Sequence, residues 1–160
     1  MKFNVGKCAV MHIGHNNIKG NYTMTNQQLP VAEQQRDLGI IITKDLKWPQ
    51  QTEKGYKTAN KTHGSIARNF KYKNREMMLP LNKSLVLPHL EYTLQFWSPH
   101  LQRDIIKIEK VQRKASKMIP EITNHSYSQR LKDLNLISLQ QRRLRGQLIE
   151  VFKYLLRFNT

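Results

Sequence analysis

The hydrophobic pattern changes period at Pro49, and that switch limits the fold more than any other feature of the sequence. Before it, short apolar runs sit between turn formers, as strands do. Val10-Met11-His12-Ile13 precedes the turn-rich stretch Gly14 to Asn21, and Tyr22-Thr23-Met24-Thr25 follows with strand propensity. Leu38-Gly39-Ile40-Ile41-Ile42 reads as a buried strand closed by the polar turn Thr43-Lys44-Asp45. After Pro49 the apolar spacing becomes helical. The expected fold class is therefore α+β: a small antiparallel β platform over about residues 8–48, then a four- to five-helix bundle. Two regions follow, 1–48 and 50–160.

Helix punctuation is readable in the second region. A first helix is predicted from Thr52 to Asn69, with Gly55 and Gly64 as weak points. A second is predicted from the N-cap Asn74 toward Phe96, kinked or broken at Pro80 and Pro88. Ile105, Ile108, Val111, Ala115 and Met118 repeat at helical steps and predict one apolar face on a helix from Leu101 to Ile119, stopped by Pro120. Ser126 and Ser138 are each followed three residues later by Gln, the spacing of a capping box. They predict a short helix ending near Leu134 and a last one ending near Phe158, with Leu144, Leu148, Val151, Phe152 and Leu155 on one face.

The formal net charge is +16 and the pI about 10.2, which favours polyanionic partners. The charge is not confined to a tail. Residues 1–99 carry 14 basic and 6 acidic groups, and residues 100–160 carry 13 and 5. On the helix from Leu101, Lys107, Lys110, Arg113, Lys114 and Lys117 form a stripe that could match successive phosphates. A solvated surface face is the competing reading. Arg142, Arg143 and Arg145 open the last helix, where cations oppose the helix dipole, so an external anion or an acidic neighbour in the fold is expected nearby. Tyr56, Phe70, Tyr72 and Tyr92 are interleaved with basic residues; Phe70 and Tyr92 are expected in the core. Cys8 stands alone, which excludes an internal disulfide and fits a reducing, intracellular compartment. No run of residues has the length and apolarity of a membrane span.

Chemistry that transfers nucleotides with two metal ions needs clustered carboxylates. Asp37, Asp45, Asp104 and Asp133 are all the aspartates, and none adjoins another acid. His12 and His15 lack further ligands nearby in sequence. The expectation is no metal and no polymerase catalysis in this chain.

Asn4-Val5-Gly6-Lys7-Cys8, Asp37-Leu38-Gly39-Ile40, Leu87-Pro88-His89-Leu90-Glu91-Tyr92, Phe96-Trp97-Ser98-Pro99, Ile108-Glu109-Lys110-Val111-Gln112-Arg113 and Arg142-Arg143-Leu144-Arg145-Gly146 together resemble the downstream third of a non-LTR, jockey-like LINE retrotransposon reverse transcriptase. The resemblance covers nearly the whole chain. It implies that residues 1–48 are the tail of a polymerase palm and residues 50–160 a thumb that rides over the template–primer duplex. By the same resemblance Lys7 is a vestigial candidate for protonating the leaving pyrophosphate, and Leu38-Gly39 belongs to a primer-grip-like strand. The family uses magnesium, but its aspartate ligands would lie upstream of Met1, which falls in mid-palm. The implied product is a non-catalytic fragment that binds the backbone of RNA or an RNA–DNA hybrid without reading sequence. Alternatives are a subunit or regulator docking on a separate reverse-transcriptase core, and an inert translated remnant.

Overall fold

The computed structural model describes residues 3–93 and 96–157. The chain is α+β, with two small antiparallel hairpins followed by helices. It divides into two compact units, Met1–Gln51 and Thr52–Thr160.

In the first unit, β1 (Thr23–Met24) pairs with β2 (Gln27–Gln28), and β3 (Gln34–Asp37) pairs with β4 (Ile40–Thr43). The result is two separate two-stranded hairpins rather than one platform. Both have two-residue turns with positive φ throughout: Thr25 at 50° and Asn26 at 60°, Leu38 at 44° and Gly39 at 84°. Such primed turns match the twist of paired strands. Leu38-Gly39 is accordingly the tip of a hairpin and not part of the strand, which corrects the sequence-based expectation. The left-handed backbone of Gly39 stops the apolar run from extending towards the N-terminus. Ile40 and Thr43 are buried, and Gln51 accepts a hydrogen bond from the Ile41 N–H at 3.1 Å.

Val10 to Ile13 does not form the expected strand. It contributes one isolated parallel bridge, Val10 to Val31. Pro30, whose carbonyl accepts from the Val10 N–H at 2.9 Å, has no N–H with which to carry a ladder back toward Cys8.

Helix α1 (Pro49–Asn69) begins at its proline, a residue preorganised for the first helical turn. In the second unit its Gly55 permits close approach to α3 (Leu87–Glu91): a Cβ there would lie 3.1 Å from the His89 carbonyl oxygen. Helix α2 (Arg75–Leu81) is capped by Asn74, whose side chain accepts from the Met77 N–H at 3.2 Å. Pro80 falls inside α2, and a π-helical segment over Asn82–Val86 joins α2 to α3. The run ends at Glu91, short of Phe96. Helix α4 (Gln102–Lys117) buries Ile108, Val111 and Ala115 as its periodicity requires, with Gln112 and Ser116 beside them.

Helix α5 (Tyr127–Asp133) starts at Ser126, whose hydroxyl accepts from the Gln129 N–H at 3.3 Å. Helix α6 (Leu139–Arg157) starts with a reciprocal capping box: Ser138 accepts from the Gln141 N–H at 3.2 Å, and Gln141 accepts from the Ser138 N–H at 3.4 Å. Leu90, Trp97, Ile108, Val111, Leu134 and Leu139 form much of the core of this unit. The apolar face expected on α6 exists but is not packed. Leu144, Leu148, Val151, Phe152 and Leu155 are all exposed. Tyr92, expected in the core, is exposed as well, while Phe70 is half-buried.

Candidate nucleic-acid interface

Helix α4 sorts its residues cleanly by angle. Its buried side, Asp104, Ile108, Val111, Gln112, Ala115 and Ser116, spans less than half the circumference. Arg103, Lys107, Lys110, Arg113, Lys114 and Lys117 occupy the remainder, so the stripe read from the sequence lies on one continuous face.

The members of that stripe are not equivalent. Lys107 sits at one edge, half-buried, donating to the Glu53 carboxylate on α1, with its ammonium 5.3 Å from the centre of the Tyr56 ring. Glu53 also meets Lys57 at 3.3 Å, and the Lys107 hydrogen bond holds its carboxyl below the usual glutamate range. At the other edge the Arg113 guanidinium lies 4.5 Å from the centre of the Tyr127 ring. Between them Lys110, Lys114 and Lys117 are exposed, and none is in an ion pair among the described residues. The face is therefore pinned at both edges and unneutralised along the middle.

Tyr127 holds this arrangement. Its hydroxyl donates to Glu109, whose other oxygen accepts from the Leu139 N–H at 3.0 Å, tying α4, α5 and the start of α6 together. Burial raises the phenol's pKa, and the Glu109 carboxylate raises it further, so the ring stays neutral. Arg130, buried behind it, donates to the Ser116 hydroxyl at 3.0 Å and the His125 carbonyl at 2.6 Å.

The second basic cluster is divided by the fold. Arg142 makes a two-pronged ion pair with Glu91 at the end of α3, one contact being 3.2 Å. This is the acidic neighbour that the cations at the α6 N-terminus called for. Arg143 is only 4% exposed. Its guanidinium donates to the Leu90 carbonyl and, at 3.0 Å, to the Trp97 carbonyl, and lies 4.3 Å from the Trp97 ring centre. Burial pushes its pKa down to about 10, against the opposing pull of Glu91. Arg143 is a core residue, out of reach of any phosphate, contrary to the sequence-based expectation. Arg145 alone of the three is exposed and without an ion pair among the described residues.

In the first unit Lys7 is exposed in a single 3-10 turn, Val5–Lys7. Asn4 caps that turn through the Gly6 N–H at 3.1 Å, and the Cys8 thiol donates to the Asn4 carbonyl at 3.4 Å. Leu38 projects from its hairpin tip, 81% exposed.

The magnesium that the family resemblance implies does not fit the donors present. Asp45 is engaged by Thr43 and the Lys47 N–H, Asp133 by His125 and Gln129, and Asp104 is buried 3.7 Å from Arg103. Among the described residues no three His, Cys, Asp or Glu side chains are grouped so as to hold a metal ion. The contacts of Glu53 with Lys107, Glu91 with Arg142 and Tyr127 with Glu109 carry no local sequence signal, since each spans 18 to 54 residues. No helix among the described residues is long and apolar enough to cross a membrane. Compared with protein families, curated proteins and solved structures, the chain matches none.

Proposed function

We propose that this chain is a non-catalytic, thumb-like piece of a retrotransposon reverse transcriptase that binds the phosphate backbone of RNA or an RNA–DNA hybrid without reading sequence. The observation that carries the proposal is the exposed middle of the α4 stripe. Lys110, Lys114 and Lys117 repeat along one face with no carboxylate among the described residues to neutralise them, and Arg103, 3.7 Å from Asp104, extends the row. Like charges at helical spacing repel each other, and a row of phosphates relieves that repulsion while releasing condensed counterions. Lys107 and Arg113 flank the row and fix its position, and Arg145 adds a further exposed cation. Arg142 and Arg143 serve the fold. Flexible, exposed cations in a row suit phosphate contacts, which carry no sequence information.

The test is binding of the nuclease-treated chain to a primed RNA–DNA hybrid and to a scrambled duplex across a salt series. Affinity for both should fall steeply with salt. The variant with Lys110, Lys114 and Lys117 all changed to Gln should show a log–log slope shallower by about 2–3. An unchanged slope would reduce the stripe to a solvated surface and leave the inert-remnant reading in its place.

A further inference from the structure

From residue 144 onward α6 carries an apolar surface that the fold leaves uncovered. Leu148 is 60% exposed and Phe152 62%, with Leu144, Val151 and Leu155 alongside. A shallow groove of about 620 Å³ follows these side chains. Single exposed apolar residues are ordinary, but a contiguous row of this kind marks an interaction surface.

The pattern within the row is specific. Leu144, Leu148, Val151 and Leu155 recur at steps of four, three and four, the spacing of the seam along which two helices pack side by side. Charge distinguishes this surface from the α4 stripe. Between Leu144 and Leu156 the charged residues are Arg145, Glu150 and Lys153, and the last two pair with each other at 3.1 Å. One unpaired cation is too little to select an acidic partner. A helix that lies on a membrane surface carries a run of free Lys or Arg on its polar face; of the basic residues on α6, Arg142 is paired with Glu91, Lys153 with Glu150, and Arg143 is buried. A near-neutral, heptad-spaced seam is suited to its own copy, because the two-fold pairing of one patch with itself needs no complementary charge. Packed antiparallel, Arg145 of one copy approaches Phe152 of the other, a cation against a ring, and no two cations of the seam meet.

We infer that the chain forms a homodimer through the α6 seam of Leu144, Leu148, Val151 and Leu155. Five roughly half-exposed side chains offer on the order of 500 Å² per copy, so a dimer buries at most about 1,000 Å², in the range of weak, reversible interfaces. The dimer is accordingly weak and dependent on protein concentration. Two copies of charge +16 repel each other, and the screening distance falls from about 10 Å at 0.1 M salt to about 3 Å at 1 M. Dimerisation therefore strengthens as salt rises, opposite in sign to nucleic-acid binding.

Sedimentation equilibrium of the full chain, freed of nucleic acid, at 0.1, 0.3 and 1 M NaCl tests this. A monomer–dimer equilibrium that tightens with salt is expected. Leu148→Glu and Leu155→Glu should each weaken it at least about 100-fold. Because both residues are exposed, at concentrations where the wild type is monomeric the variants should keep its circular dichroism and melting temperature. Leu38→Glu, which removes a still more exposed leucine from the first unit, should leave the dimer unchanged. A chain that stays monomeric at every salt, or that floats with neutral phosphatidylcholine vesicles in place of dimerising, overturns the inference. So does a dimer indifferent to both α6 substitutions.

Discussion

Arg143 and Arg145 are two residues apart and oppositely placed, one buried and one exposed. Replacing Arg143 with Met strips donors from the Leu90 and Trp97 carbonyls and is expected to cost about 2–4 kcal/mol of stability. Urea unfolding measures that loss, and the salt slope of binding should not change. Arg145→Gln should do the reverse, lowering affinity while stability stays within about 0.5 kcal/mol. His63 sets the pH response. It is buried, its Nδ1 is 3.4 Å from the Met118 sulfur, and its Nε2 has no hydrogen-bond partner among the described residues. Burial lowers its pKa below 6.5 and the Lys114 charge lowers it further, while the nearby Asn82 side chain, which favours the protonated ring, opposes them. The unfolded chain therefore takes up the proton first. Stability should fall as pH drops through 6.5 and level off once the native ring is also protonated. Urea midpoints at pH 7.5 and 5.5 should differ in this sense for the wild type and differ less for His63→Gln.

Among the elements, the β3–β4 hairpin holds a leucine in the left-handed region at an exposed tip, strained and gaining nothing from burial. Leu38→Asn places a residue that tolerates this backbone and should stabilise the hairpin by about 1 kcal/mol, read as a higher melting temperature. Gly55 makes the contrary case. Alanine normally favours a helix interior, yet here its methyl would press on the backbone of α3, so Gly55→Ala should destabilise by about 1 kcal/mol. The caps at Asn74, Ser126 and Ser138 were legible because capping is settled within four residues of sequence. The hairpin tip was misread because Leu-Gly-Ile-Ile-Ile looks like one apolar run unless the backbone sign at Gly39 is known. The α4 stripe was legible from periodicity alone. Which of its lysines are free was not, since Glu53 reaches Lys107 from 54 residues away.

At the scale of the whole molecule, the two units differ in what holds them. Ile40 is the one apolar side chain buried in residues 3–51 among those described, whereas the helical unit buries Trp97, Leu90, Ile108, Leu139 and several more. Hydrogen exchange should therefore find the amides of β1 to β4 opening at lower free energy than those of the α4 core. The change of period at Pro49 is local and so is visible in the sequence, and the two compact units divide between Gln51 and Thr52. Sequence pattern could not show that the apolar face of α6 would stay bare, since that depends on what the other helices already cover. The Arg142–Glu91 pair and the clamp of Arg143 on Leu90 and Trp97 bridge 46 to 53 residues, so they require closure of a long loop. Contacts of such separation tend to form late. While α6 waits to dock, Leu139 and the seam beyond it are exposed together, and the chain is at its stickiest on the way to the native state. Refolding yield should thus decline with protein concentration more steeply than native solubility does.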